Sequence, residues 1–213
     1  MRVGFLDDFS LDLEHQADEA LQRLGLDLEV VTMKNWNRPD FFDATGLRWV
    51  NPSPNMRSLA QALLYPGIGL LETTNLSVGR GTDTPFEVFG APWLDGDSFA
   101  FELNRLGLAG VAFVPMRFTP DASKFAGEAC GGVNVIVTDR GVFEPVRAGL
   151  AIARQLRLLY PDAWDADAYG RLLANQATLE ALLTGAETAD IESAFAAGLQ
   201  AFRERRAAFL LYE

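Results

Sequence analysis

Cys130 is the only cysteine and His15 the only histidine among 213 residues. One thiol cannot close an internal disulfide, and the pair is too few for a structural zinc site, so no metal or other cofactor is expected. Lysine is nearly as scarce, with Lys34 and Lys124 the only two among 18 basic residues. No apolar run approaches the roughly 18 residues that a membrane helix takes. Asp7 and Asp8 stand where a signal peptide would have its apolar core. The chain as given is therefore expected to be neither exported nor membrane-spanning, hence cytoplasmic. Glycine and proline, at 19 and 10 residues, are too few for a collagenous or low-complexity chain. Positive charge is also in deficit: 18 Lys and Arg against 29 Asp and Glu leave a net charge of −11. That sign repels a phosphate backbone and an anionic bilayer, so neither nucleic acid nor a membrane is expected as partner.

What is present suffices for a packed core, since 49% of the residues are hydrophobic and 22% charged. At about 150 residues per domain, the length allows one domain with appendages or two small ones. Apolar residues at helical spacing predict a helix over 10–24, ended by Gly25, and LEVVTM over 28–33 reads as a strand. Residues 34–55 keep no period and read as a long ordered loop. Trp36, Phe41, Phe42 and Trp49 either pin that loop to the core or offer rings to a sugar. A helix over 58–65 is expected to stop at Pro66, with GIGLLE following as a buried strand that ends at Glu72. Further strands are expected over 86–93, 111–118 and 133–138, the second at an edge because it carries Pro115. Helices are expected over 98–106, capped by Asp97, and over 143–159, with Pro145 in the first turn. Two more are expected over 171–183 and 190–209. The pattern is α+β: a short mixed β-sheet of about five strands, flanking helices and a helical C-terminal third.

The polar, glycine-punctuated TTNLSVGRGTDTP follows directly on the buried run and is the segment best placed to hold chemistry. It fits neither the phosphate-binding nor the dinucleotide fingerprint, so no nucleotide site is expected. Glu72, at the mouth of that run, suits a general acid if partial burial raises its pKa. The alternative is a carboxylate that only accepts loop hydrogen bonds or pairs with Arg80. Arg80 in turn could grip the carboxylate of a substrate or an acid of its own chain. Lys124 is either a ligand-binding cation or an exposed solubilising one. His15 reads as solvated and Cys130 as a buried, inert thiol.

Six runs resemble, in order and spacing, the carboxy-terminal part of the exo-β-N-acetylmuramidase family: GLDLEVVTMKNW, FFDATGLRWVNPSPNM, YPGIGLLETTNLSVGRGTDTPFEVFGAPW, FTPDASKFAGEACGGVNVIVTDR, NQATLEALLTG and FRERRAAFLLYE. The resemblance extends from about Leu26 to Tyr212 and leaves 1–25 as a divergent N-terminal helix. It implies release of terminal N-acetylmuramic acid (MurNAc) from peptidoglycan fragments such as MurNAc-GlcNAc, in cell-wall turnover. It also implies an amino-terminal Rossmann-like half, expected to be missing here, with the active site in the cleft between halves. The family's polar loop falls on Glu72, Thr73, Thr74, Asn75, Gly79, Arg80, Gly81 and Thr82, and its proline-rich loop on Ser53, Pro54 and Asn55. Glu72 is then the candidate catalytic residue; Asn55, Asn75, Arg80, Thr82 and Lys124 are the candidate substrate contacts. Arg80 or Lys124 would meet the lactyl carboxylate of muramic acid. Thr73 stands where the family usually has glycine, and Phe118 and Phe125 where some members carry Tyr or His. Three other readings remain open: a carbohydrate-binding module without turnover, one half of a split enzyme with a separately supplied amino-terminal half, and a truncated remnant whose exposed former interface drives self-association into a homo-oligomer.

Overall fold

The computed structural model describes residues 31–207 and 209–212. The helix expected over 10–24, the divergent 1–25 segment and His15 lie outside them, as does most of the strand expected over 28–33. Its described residues, 31–33, have no regular structure.

The chain divides into two compact units, one of residues 50–197 and one of residues 1–49 with 198–213. In the second, the expected irregular segment holds a single 3-10 turn, Phe42–Thr45, closed by Gly46 at φ 69°. Its aromatic residues pair edge to face: Phe42 with Trp49 at 5.2 Å, and Trp36 with Tyr212 at 4.6 Å.

The first unit carries the core. Ser58 caps α1 (Leu59–Ile68) by accepting the Gln61 amide, and α1 runs straight through Pro66 into a 3-10 turn, Gly69–Thr73. The expected stop at Pro66 and the expected strand after it are thus both replaced by helix. Leu63, Leu64, Ile68, Leu70 and Leu71 are all buried, and a short apolar run buried all round has the same appearance in sequence whether strand or helix. Pro66 sits in the last turn, where it removes only one ladder bond.

Three antiparallel strands form the sheet among the described residues: β1 (Val88–Ala91), β2 (Val111–Phe118) and β3 (Cys130–Val137), with β3 in the centre. The α+β class is as expected, but the pairings are antiparallel rather than mixed; of the five expected strands three form, the run before Glu72 is helical, and the one over 28–33 lies mostly outside the described residues. Pro115 lies on edge strand β2 opposite Val133, where its missing N–H costs no inner ladder bond. Helix α2 (Gly96–Arg105) packs on the sheet, with Phe99 and Leu103 fully buried. Its cap is Asp95, two residues before the one expected; the Asp95 carboxylate accepts from the amides of Asp97 and Ser98.

Helix α3 (Pro145–Leu159) starts on Pro145, two residues after the start expected, and packs against α1. The two helices cross at a glycine pair: a Cβ on Gly67 would lie 2.0 Å from the Pro145 carbonyl oxygen, and one on Gly149 2.5 Å from that of Gly67. The expected helix over 171–183 is broken into α4 (Gly170–Leu173) and α5 (Gln176–Leu183). Ala174 turns left-handed at φ 52°, and Asn175 caps the second piece through the Thr178 amide. Helix α6 (Thr188–Ala207) completes the helical third.

Candidate active site

Because the run before Glu72 is helical, its carboxylate emerges from the 3-10 turn that continues α1. Glu72 is gripped at two levels. Arg80 donates from Nε to the Glu72 carboxylate, and the Lys124 ammonium donates to the Glu72 backbone carbonyl at 3.2 Å and to that of Thr74. The Glu72 and Arg80 side chains are each about one-third exposed, at 29% and 31%. The Arg80 guanidinium lies over the Phe86 ring, 5.2 Å from its centroid, and its terminal nitrogens make no hydrogen bond to any described residue. Both faces of the sequence reading meet here: Arg80 pairs with an acid of its own chain and keeps a planar fork of donors open to an anion.

The loop that carries Arg80 is built by its neighbours. Thr82 donates its hydroxyl to the Gly79 carbonyl at 2.7 Å and accepts the Thr84 amide at 3.1 Å. Gly81 adopts φ 80°, and a Cβ there would lie 2.2 Å from the Ala122 carbonyl oxygen. The Asp121 amide donates to the Gly81 carbonyl at 2.8 Å. This close approach seats the β2–β3 connection on the loop and delivers Lys124. On either side of Lys124, Ser123 and Phe125 hold left-handed backbones at φ 68° and 62°, and Phe86 beneath Arg80 does the same at 65°. Such conformations cost on the order of 1–3 kcal/mol each and persist where the surroundings enforce them. Three of them collect around these two cations.

Burial lowers the Lys124 pKa below its ordinary value, opposed by the negative charges of Glu72 and Asp165. Asp165 is missing from the sequence-based set. Asn75 brings it in: its amide nitrogen donates to the Ala163 carbonyl and its oxygen accepts the Asp165 amide, both at 2.8 Å. The polar atoms of Asn75 thus join loop to loop, as the Thr82 hydroxyl joins the ends of its own turn. Glu72, Arg80 and Lys124 converge. Asn55 lies on the turn closed by the Ser53–Met56 bridge, where its backbone amide donates to the Ser53 hydroxyl at 3.2 Å, and Arg57 of the same segment lies 3.8 Å from Asp83 of the polar loop. Thr73 buries its hydroxyl oxygen without a hydrogen-bond partner among the described residues. The one sequence signal for Asp165 is its turn-rich setting, PDAWDADAYG.

Burial pushes the Cys130 thiol up to about 11, and Cys130 lies apart from these charges, its sulfur donating to the Glu128 carbonyl. Among the described residues no group of three or more His, Cys, Asp or Glu side chains could hold a metal ion. No described helix is long and apolar enough to cross a membrane.

A small antiparallel sheet backed by helices, with a carboxylate, a guanidinium and an ammonium gathered beside one polar loop, defines an α+β fold with a charged cluster at that loop. Residues 63–212 match the C-terminal region of the exo-β-N-acetylmuramidase NamZ family, and residues 13–60 match its N-terminal region. The chain belongs to this family. It is 39% identical over 192 residues to the peptidoglycan β-N-acetylmuramidase NamZ of Bacillus subtilis strain 168, covering 89% of this chain and 46% of that protein. A DUF1343 family protein from Bacteroides fragilis NCTC 9343 superposes with a TM-score of 0.71 at 28% identity, covering 87% of this chain and 51% of the other. A second from the same organism shares the fold, with a TM-score of 0.58 at 21% identity over 84% and 47% of the two chains. The chain therefore spans about half the length of these relatives.

Proposed function

We propose that this chain acts in exo-β-N-acetylmuramidase chemistry, releasing terminal N-acetylmuramic acid from peptidoglycan fragments such as MurNAc-GlcNAc. The observation that carries this reading is the Glu72–Arg80–Lys124 arrangement, set in the loop that resembles the family's polar motif. The B. subtilis relative is a peptidoglycan β-N-acetylmuramidase, which supports the same reading. In it the open side of Arg80 receives the lactyl carboxylate of muramic acid, a group that a neutral sugar lacks. Glu72 faces the same place. One oxygen is held by Arg80, leaving the second to accept from a sugar hydroxyl or from the attacking water. Lys124 fixes the turn that aims it. A proton taken by the Glu72 carboxylate from the attacking water, as general base, contributes about 10²–10⁴-fold in rate when the group is well placed.

The test is turnover of a chromogenic β-N-acetylmuramide by the 213-residue chain, with Glu72→Gln in parallel. The expected outcome is release by the parent and at least a 100-fold loss in the variant. Release unchanged in Glu72→Gln overturns the role of Glu72. The second reading, a muramic-acid-binding chain without turnover, is favoured by the ion pair in which Arg80 holds the Glu72 carboxylate. Binding of N-acetylmuramic acid without release is the result that would establish it.

A further inference from the structure

We infer that Asp165 is a ligand-contacting residue of this site, accepting hydrogen bonds from the hydroxyls of the bound sugar. The inference deepens the function proposed above and rests on it. Asp165 lies 90 residues from Asn75 in sequence, yet the two are joined directly. The Asn75 amide takes the Ala163 carbonyl on one side and the Asp165 amide on the other, so the backbone on both sides of Trp164 is tied to the segment that begins with Glu72. Trp164 anchors the same loop from below: it is 4% exposed, and its ring stands 5.8 Å from that of the fully buried Tyr169. The loop is thereby rigid where it carries its carboxylate.

The Asp165 side chain is exposed. Its Oδ1 accepts the Asp167 amide at 2.9 Å, which fixes the rotamer, while Oδ2 makes no hydrogen bond to any described residue. A carboxylate oxygen fixed in direction and open to solvent suits sugar hydroxyls, which are donors that a carboxylate accepts strongly. Its charge also reaches the Lys124 ammonium, which bonds the Glu72 and Thr74 carbonyls. The Asp165 and Glu72 carboxylates thus both favour the charged form of Lys124. Arg80 receives the acid group of the sugar and Asp165 its hydroxyls, so the two residues divide recognition of an acidic sugar by sign.

The experiment is calorimetric titration of the full chain with free N-acetylmuramic acid, for the parent, Asp165→Asn and Asp165→Glu. Asn keeps the oxygen that accepts the Asp167 amide, so the loop turn survives and only the charge is lost. The expected result is affinity about tenfold or more weaker in Asp165→Asn, the cost of losing a charged acceptor, with partial recovery in Asp165→Glu. Parent-like affinity in Asp165→Asn overturns the inference and leaves the proposed function standing. No binding by the parent overturns the proposed function, and the inference with it.

Discussion

Arg80 is asked to do two things with one guanidinium: Nε holds Glu72 while the terminal nitrogens stay open. Lysine offers a single nitrogen and no planar fork, so Arg80→Lys can keep the charge and lose either the Glu72 bond or the ligand. Arg80→Lys is expected to weaken N-acetylmuramic acid at least tenfold while leaving N-acetylglucosamine, which has no lactyl carboxylate, within about twofold; paired titrations read the difference. At Gly81, φ 80° and the close Ala122 carbonyl oppose any side chain. Gly81→Ala is expected to cost about 1–3 kcal/mol, read by urea unfolding. Cys130 is 1% exposed with its thiol raised to about 11, so the reactive thiolate is scarce near neutrality. Iodoacetamide at pH 8 is expected to spare it in the folded chain and modify it once unfolded, as mass spectrometry would show. Glu72, Arg80 and Lys124 were legible in sequence because a glycine-punctuated loop follows a buried run and lysine is otherwise nearly absent. Asp165 was not, since it joins the site through a hydrogen bond between residues 90 apart, a relation that local pattern does not encode.

Among the elements, those with a single dominant signal were readable. Strand β3 is β-branched in its second half, β2 carries a proline that only an edge tolerates, and α3 opens on a proline that suits a first turn. Where signals competed, packing decided. Pro66 stays inside α1 because Gly67 and Gly149 let α1 and α3 come close enough to bury that turn, a tertiary gain outweighing a local penalty. Asp95 takes the cap although Asp97 is equally suited chemically, since Gly96 abuts the β3 backbone: a Cβ there would lie 2.3 Å from the Gly132 carbonyl oxygen. The helix break at Ala174 needs a left-handed residue that no glycine announces. Gly149→Ala is expected to force the α1–α3 crossing apart and cost about 1–3 kcal/mol, visible as a lower urea midpoint with an unchanged slope.

At the scale of the molecule, a charge of −11 sets what the surface attracts. A gel shift with duplex DNA at physiological ionic strength is expected to show no retarded band, because the phosphate term that drives nonspecific binding has the wrong sign here. The family's polar loop is held in the unit of residues 50–197 by contacts from the β2–β3 connection and from the loop before α4.

Around that loop Glu72, Arg80, Lys124 and Asp165 contribute two negative and two positive charges, so the site is locally neutral within an acidic chain. On the proposed function, an acidic sugar would consequently be repelled at long range and accepted only on contact. Raising ionic strength from about 0.01 M to 0.15 M shortens the screening length from about 30 Å to about 8 Å, which removes the distant repulsion before it reaches the contact pairs. Capture of muramic acid should then become faster with added salt, the reverse of an electrostatically steered enzyme.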